Sequence, residues 1–139
     1  MTTPASGRHE RMSAPFRHEI RVRYAEVDMQ GHVFNAHYLT FCDDACTAWL
    51  RDRVGDYQAA GFDLVVKTAT LTWHQGAGFD DVLAVDVHAS RWGRTSFDVR
   101  FEGSVGERPS FSATLTYVSV TPGTVTPAPV PDAVRAALG

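Results

Sequence analysis

The chain has 139 residues, a formal net charge of −3 and an isoelectric point near 6.0. That length fits one domain with a core of its own, and the charge excludes the basic face that a nucleic-acid or membrane-surface protein needs. No apolar run approaches the roughly 20 residues of a membrane span, and residues 1–15 lack the hydrophobic segment of a signal peptide. A soluble, cytoplasmic protein is expected, with a disordered leader over 1–15 and a single domain over 16–139.

From Phe16 to Val27 apolar and charged residues alternate, with Ile20, Val22 and Tyr24 opposed by Glu19, Arg21 and Arg23; this predicts a half-buried strand. It runs into a Gly-containing loop that begins at Asp28. Asn35 has the side chain of a helix N-cap, and a helix is predicted from Ala36 to about Arg53, stopped by Gly55. Tyr38, Phe41, Cys42, Ala45, Cys46 and Trp49 recur at the 3.6-residue period, so one broad stripe must be covered. The two cysteines stand four apart on that stripe. The spacing is not that of a zinc site or a disulfide framework, and reduced, buried thiols are expected.

Four β-prone runs follow, over 62–75, 82–92, 95–104 and 110–120, separated by turns that include Gly76 to Asp81, Gly93-Arg94 and Gly106-Glu107. Short turns predict an antiparallel meander of these four strands. A Pro-rich stretch over 122–131 leads into a short helix over 131–138. One amphipathic helix and one sheet burying each other's apolar faces make an α+β fold, with sheet edges that a partner subunit can cover.

The order of a strand, then Asp28-x-x-Gly31-His32-Val33-x-Asn35-x-x-Tyr38-Leu39, a helix and four strands resembles the hotdog-fold thioesterases of the 4-hydroxybenzoyl-CoA thioesterase type. Gly93-Arg94-Thr95-Ser96-Phe97 and the Pro129-Val130-Pro131 ending fit the same family. The resemblance implies a hotdog fold, in which a curved, mainly antiparallel five-stranded sheet wraps a long central helix. It also implies hydrolysis of an acyl-CoA by a homodimer or homotetramer with active sites between subunits. Asp28 then corresponds to the catalytic carboxylate, as nucleophile or as the base that activates water. A backbone N–H near Asn35 corresponds to the donor to the thioester oxygen, and Gly93, Arg94 and Ser96 to part of the edge that meets coenzyme A.

The chemistry is coherent on physical grounds as well. Thioester hydrolysis needs a group that attacks or delivers water, and donors aimed at the oxygen that becomes negative. Free N–H groups and the positive end of the dipole lie at a helix N-terminus. The thiolate leaves without needing a proton, so no cofactor and no metal is required. Asp28, His32, His37 and Cys42 match no ligand spacing closely.

Blander roles stand beside these. Asp28 is also a turn former, Gly31 serves backbone conformation, and Asn35 is equally a plain cap. His32 shapes the loop, contacts the acyl group or acts directly; His37 fits a solvated or interface position. Asp43 and Asp44 suit a solvated helix face, although a sister branch of hotdog thioesterases carries its acid on the long helix. Phe34 and Tyr38 are candidates to line an acyl pocket, while Trp49, Trp73 and Trp92 suit packing. Arg91 and Arg94 fit either a CoA phosphate or a hairpin-edge charge pair. Two other functions share these features: hydrolysis of acyl groups held on a carrier protein, and acyl-thioester binding without catalysis. A binder has no need of a carboxylate by the carbonyl, and the paired Asp and His of hotdog dehydratases are not found.

Overall fold

A computed structural model describes residues 15–139 of the chain, so the leader expected over 1–15 lies, Pro15 apart, outside the described residues. The elements in order are β1 (Phe16–Arg21), a 3-10 turn (Tyr24–Glu26), α1 (His37–Arg53), β2 (Asp63–Trp73), β3 (Val82–Trp92), β4 (Ser96–Val105), β5 (Arg108–Val120) and α2 (Asp132–Leu138). The strands form one five-stranded sheet in the order β1-β3-β4-β5-β2, antiparallel throughout. Register shifts at Val66/Thr68, Ala89/Arg91 and Gly103/Ser104 interrupt the ladders. Such bulges bend a sheet, here around the long helix.

The apolar stripe of α1 is what the sheet closes on. Tyr38, Phe41, Cys42, Ala45, Cys46, Trp49 and Leu50 are all buried. They meet the inward residues of β3 (Leu83, Val85, Val87), β4 (Phe97, Val99, Phe101) and β5 (Phe111, Ala113, Leu115, Tyr117), with Val134 and Leu138 of α2 completing the cluster. The opposite sheet face is polar and carries the Arg17–Asp86, Arg91–Asp98 and Arg100–Glu102 pairs. At their exposure such pairs contribute little stability individually. The helix ends as expected at Gly55, whose N–H donates to the Leu50 and Arg51 carbonyls.

Three expectations need correction. The first strand does not reach Val27: after Arg21 the chain turns, because the Glu26 carboxylate takes the Arg23 N–H at 2.7 Å and locks a 3-10 turn. The side chain of Asn35 does not cap α1. Ala36 holds the N-cap position with no side-chain hydrogen bond, and the His37 and Tyr38 N–H groups donate to the Phe34 and Asn35 carbonyls instead. Finally, only β3, β4 and β5 form a meander. β2 pairs with β5 at the far edge, because β1 occupies the free side of β3. Three interstrand gaps separate β2 from β3, about 14 Å. The link over 74–81 has ample reach for that span, at about 3.3 Å per extended residue.

Candidate active site

The loop between β1 and α1 is built from its own backbone and pinned by a second loop. The Asp28 N–H donates to the His32 carbonyl at 2.9 Å, and the Gly31 N–H to the Asp28 carbonyl at 3.0 Å. Gly31 has φ +80°, a conformation that glycine adopts without steric cost. Val33 donates to the Ala77 carbonyl, and His32 bridges Gly78, so the loop leans on Gly76–Gly78. Asp81 and Arg108 fix that support from behind: Asp81 Oδ2 accepts the Gly78 N–H at 2.8 Å, and Arg108 donates to the Gly76 carbonyl at 3.2 Å.

On this scaffold Asp28 Oδ1 accepts the Gln30 N–H at 2.8 Å. Oδ2 has no hydrogen-bond partner among the described residues. The carboxylate is therefore a turn former through one oxygen and available through the other. A few residues on, the Asn35 and Ala36 N–H groups donate to no acceptor among the described residues. They are unpaired donors at the start of a helix of 17 residues, where the positive end of its dipole lies.

The candidate residues separate into three sets. Asp28, Gly31, His32, Phe34 and Asn35 come together on the loop, with His32, Phe34 and Asn35 exposed. Tyr38 lies beneath them, 1 % exposed, packed against Phe41, Trp73 and Phe111; its hydroxyl accepts the Ala77 N–H at 3.1 Å. It ties the support loop to the helix and does not open onto solvent. Gly93, Arg94 and Ser96 form the β3–β4 turn, at the other end of β3 from the Asp28 loop. Eleven residues of strand separate the two places, roughly 30 Å.

Electrostatics sharpens the assignment of the neighbours. Arg91 is committed to Asp98 through two hydrogen bonds of 2.9 and 3.1 Å, and also reaches Ser96 Oγ. The Arg91 guanidinium, followed by the Thr116 hydroxyl, holds the Asp98 carboxyl below its ordinary range against the opposing effect of burial. Arg94 is exposed and has no ion-pair partner among the described residues. Burial pushes both thiols, Cys42 and Cys46, up to about 12, so neither is a nucleophile near neutral pH.

Asp43 accepts the Tyr117 hydroxyl at 3.1 Å and lines a cavity of about 360 Å³ between α1 and the start of β2, with Leu50, Tyr57, Leu64, Val65 and Val66. Burial first, then Cys46 and Asp43, keep the Tyr117 phenol protonated well above its usual range. Asp44 is exposed. Among the described residues no cluster of three or more His, Cys, Asp or Glu is placed to hold a metal ion, and no helix is long and apolar enough to cross a membrane.

Glu26 was outside the sequence-based candidates. It is buried, and its carbonyl accepts the Phe34 N–H at 2.9 Å. Burial works to raise its carboxyl, but the Arg23 N–H and guanidinium outweigh that and hold it below the usual range. The sequence holds only a weak signal for it, an acid three residues after Arg23, hidden inside an alternating pattern.

Residues 22–138 match the thioesterase-like superfamily. The chain belongs to that superfamily. Among solved structures, this thioesterase-like chain is similar to a hypothetical protein from Aquifex aeolicus, at 23 % identity and TM-score 0.82, over 90 % of this chain and 100 % of that one. It is also similar to a 1,4-dihydroxy-2-naphthoyl-CoA thioesterase from Synechocystis, at 22 % identity and TM-score 0.75, over 88 % and 94 % of the two chains. A third is a thioesterase from Thermus thermophilus complexed with coenzyme A and Zn, at 24 % identity and TM-score 0.78, over 90 % and 92 %. At such identities the likeness speaks for the fold, and the fold is the hotdog. No curated protein matches the sequence significantly.

Proposed function

We propose that this protein hydrolyses an acyl- or aroyl-CoA thioester to the free acid and coenzyme A. The observation that carries this is the pairing of a carboxylate oxygen without a partner, Asp28 Oδ2, with two unpaired N–H groups, Asn35 and Ala36, at the helix start on the same loop. In this reading the substrate carbonyl oxygen takes those donors, and the Asp28 carboxylate attacks the carbonyl carbon or takes a proton from water. One oriented oxyanion donor contributes about 2.7–4 kcal/mol. His32 and Phe34 are exposed on the same loop.

In the same reading the site lies between two copies. The free edge of β2 exposes Val65, Val66 and Trp73, an edge that invites pairing. Trp73 packs on Tyr38 near the Asp28 loop. The other end of β2 lies by the β3–β4 turn, since Val65 opposes Val118 and Val118 opposes Ser96. Antiparallel pairing of two β2 edges then brings the Asp28 loop of one copy toward Gly93, Arg94 and Ser96 of the other. Exposed Met29, Phe34, Tyr24 and Phe79 surround the loop and suit contact with a partner or an acyl chain. Sedimentation should give twice the 15.3 kDa of one chain, or a multiple of that dimer; a monomer at micromolar concentration would sink the shared site.

A carrier protein would meet the Arg91 and Arg94 turn with an acidic surface; it draws less support, because Asp98 neutralises Arg91 there. Buried, free cysteines fit a cytoplasmic setting. The test is thiol release from aromatic, short-chain and long-chain acyl-CoAs. Turnover of at least one class is expected, and none on any CoA ester would overturn the proposal.

A further inference from the structure

The β3–β4 turn is held from the far end of the chain. Three successive carbonyls are anchored by three different segments: Gly93 by Arg135 Nη2 of α2 at 2.7 Å, Arg94 by the Val130 N–H at 3.2 Å, and Thr95 by the Ser119 N–H at 2.7 Å. In a trans peptide the N–H points opposite to the C=O. The Arg94 and Thr95 N–H groups therefore face away from the anchors, and they donate to no acceptor among the described residues. Gly93 closes the turn by donating to the Ser96 carbonyl at 2.7 Å, and a Cβ there would stand 3.0 Å from that oxygen and from Arg91 Nη1. Outward N–H groups beside the exposed Arg94 guanidinium are what a phosphate oxygen binds.

Arg135 makes this arrangement rigid. Its guanidinium lies 5.1 Å from the centre of the Trp92 ring while it donates to the Gly93 carbonyl, so it spans the two residues at the base of the turn. It has no carboxylate partner among the described residues. Its charge is directed at the ring face and the carbonyl dipole.

We propose that Arg135 is a positioning residue that presents the Arg94 turn to the phosphates of coenzyme A. The proposal rests on the assignment of Gly93, Arg94 and Ser96 to the coenzyme. Its chemical content is that α2, which touches no reacting atom, sets affinity for the nucleotide end of the substrate and leaves the acyl-transfer step alone.

The test uses the full chain and two substrates carrying one acyl group that wild type hydrolyses, a CoA thioester and the matching pantetheine thioester, with calorimetric titration of coenzyme A alongside. In Arg135→Ala, KM for the CoA thioester and Kd for coenzyme A should rise about tenfold, because the Arg94 turn loses the anchor that holds it ready for the phosphates. Its kcat and the KM for the pantetheine thioester should stay within about twofold of wild type, since neither involves that turn. Arg135→Lys keeps the charge but loses the planar fork, so it should show a smaller rise confined to the CoA compounds; it serves if the alanine variant fails to fold.

A change shared equally by both thioesters, or one in kcat, would mean that Arg135 only stabilises the fold, and would overturn the proposal. Arg94→Ala separates the two levels. If it weakens CoA selectively while both Arg135 variants do not, positioning by Arg135 is wrong and the turn keeps its role. If Arg94→Ala affects the two thioesters alike, or wild type neither hydrolyses a CoA thioester nor binds coenzyme A, the underlying assignment fails with it.

Discussion

Asp28→Asn should lower kcat by at least about 10²-fold, and up to 10⁴-fold if the carboxylate acts as general base, with the fold and the oligomeric state unchanged. The substitution is nearly isosteric. An asparagine Oδ1 still accepts the Gln30 N–H that shapes the turn, and the backbone bonds from Asp28 to His32 and from Gly31 to Asp28 do not involve the side chain. What disappears is the negative Oδ2, the atom assigned to attack or proton transfer. Thiol release measured beside thermal melts separates the two effects. Turnover near wild type would remove Asp28 from the chemistry and turn attention to Asp43, the acid beside the 360 Å³ cavity.

The second large effect is on stability. Trp49→Ala should cost about 3–5 kcal/mol, as truncation of a large buried aromatic does when its surroundings cannot collapse. Trp49 is 1 % exposed on the face of α1 that the sheet covers, and bulges and short turns hold that sheet in place. Chemical denaturation of the two proteins measures the difference. A loss below about 1 kcal/mol would show that the sheet relaxes onto the helix, against the close packing expected of cores.

These two residues differ in how readily the sequence shows them. The 3.6-residue stripe from Tyr38 to Trp49 and the alternation of Phe97, Val99 and Phe101 are local patterns, and they predict α1 and β4 to within a residue or so. Asp28, Gly31 and His32 are legible for the same reason: one tight loop contains them all. What depends on distant partners is not legible. The placement of β2 beside β5 follows from β1 taking the edge of β3, which no local spacing encodes. Arg91 and Arg94 look alike in sequence, yet Asp98 seven positions on claims one and not the other. Tyr38 looks like a pocket residue until Ala77 takes its hydroxyl. Asn35 has a capping side chain, but the His37 and Tyr38 N–H groups are already taken by the backbone carbonyls of Phe34 and Asn35.

The burial of Cys42 and Cys46, with both thiols pushed up to about 12, has a practical side. Hydrolysis is followed by trapping the released coenzyme A with a thiol-specific dye, and a protein with accessible cysteines would consume that dye itself. Here both cysteines are buried, Cys42 fully and Cys46 beside the cavity under α1, so the folded protein contributes little colour of its own. They become reactive only in molecules whose helix has lifted from the sheet, because the rate of such labelling follows the population of opened molecules. One dye therefore reads catalysis while the chain is closed and, without added substrate, counts how often it opens.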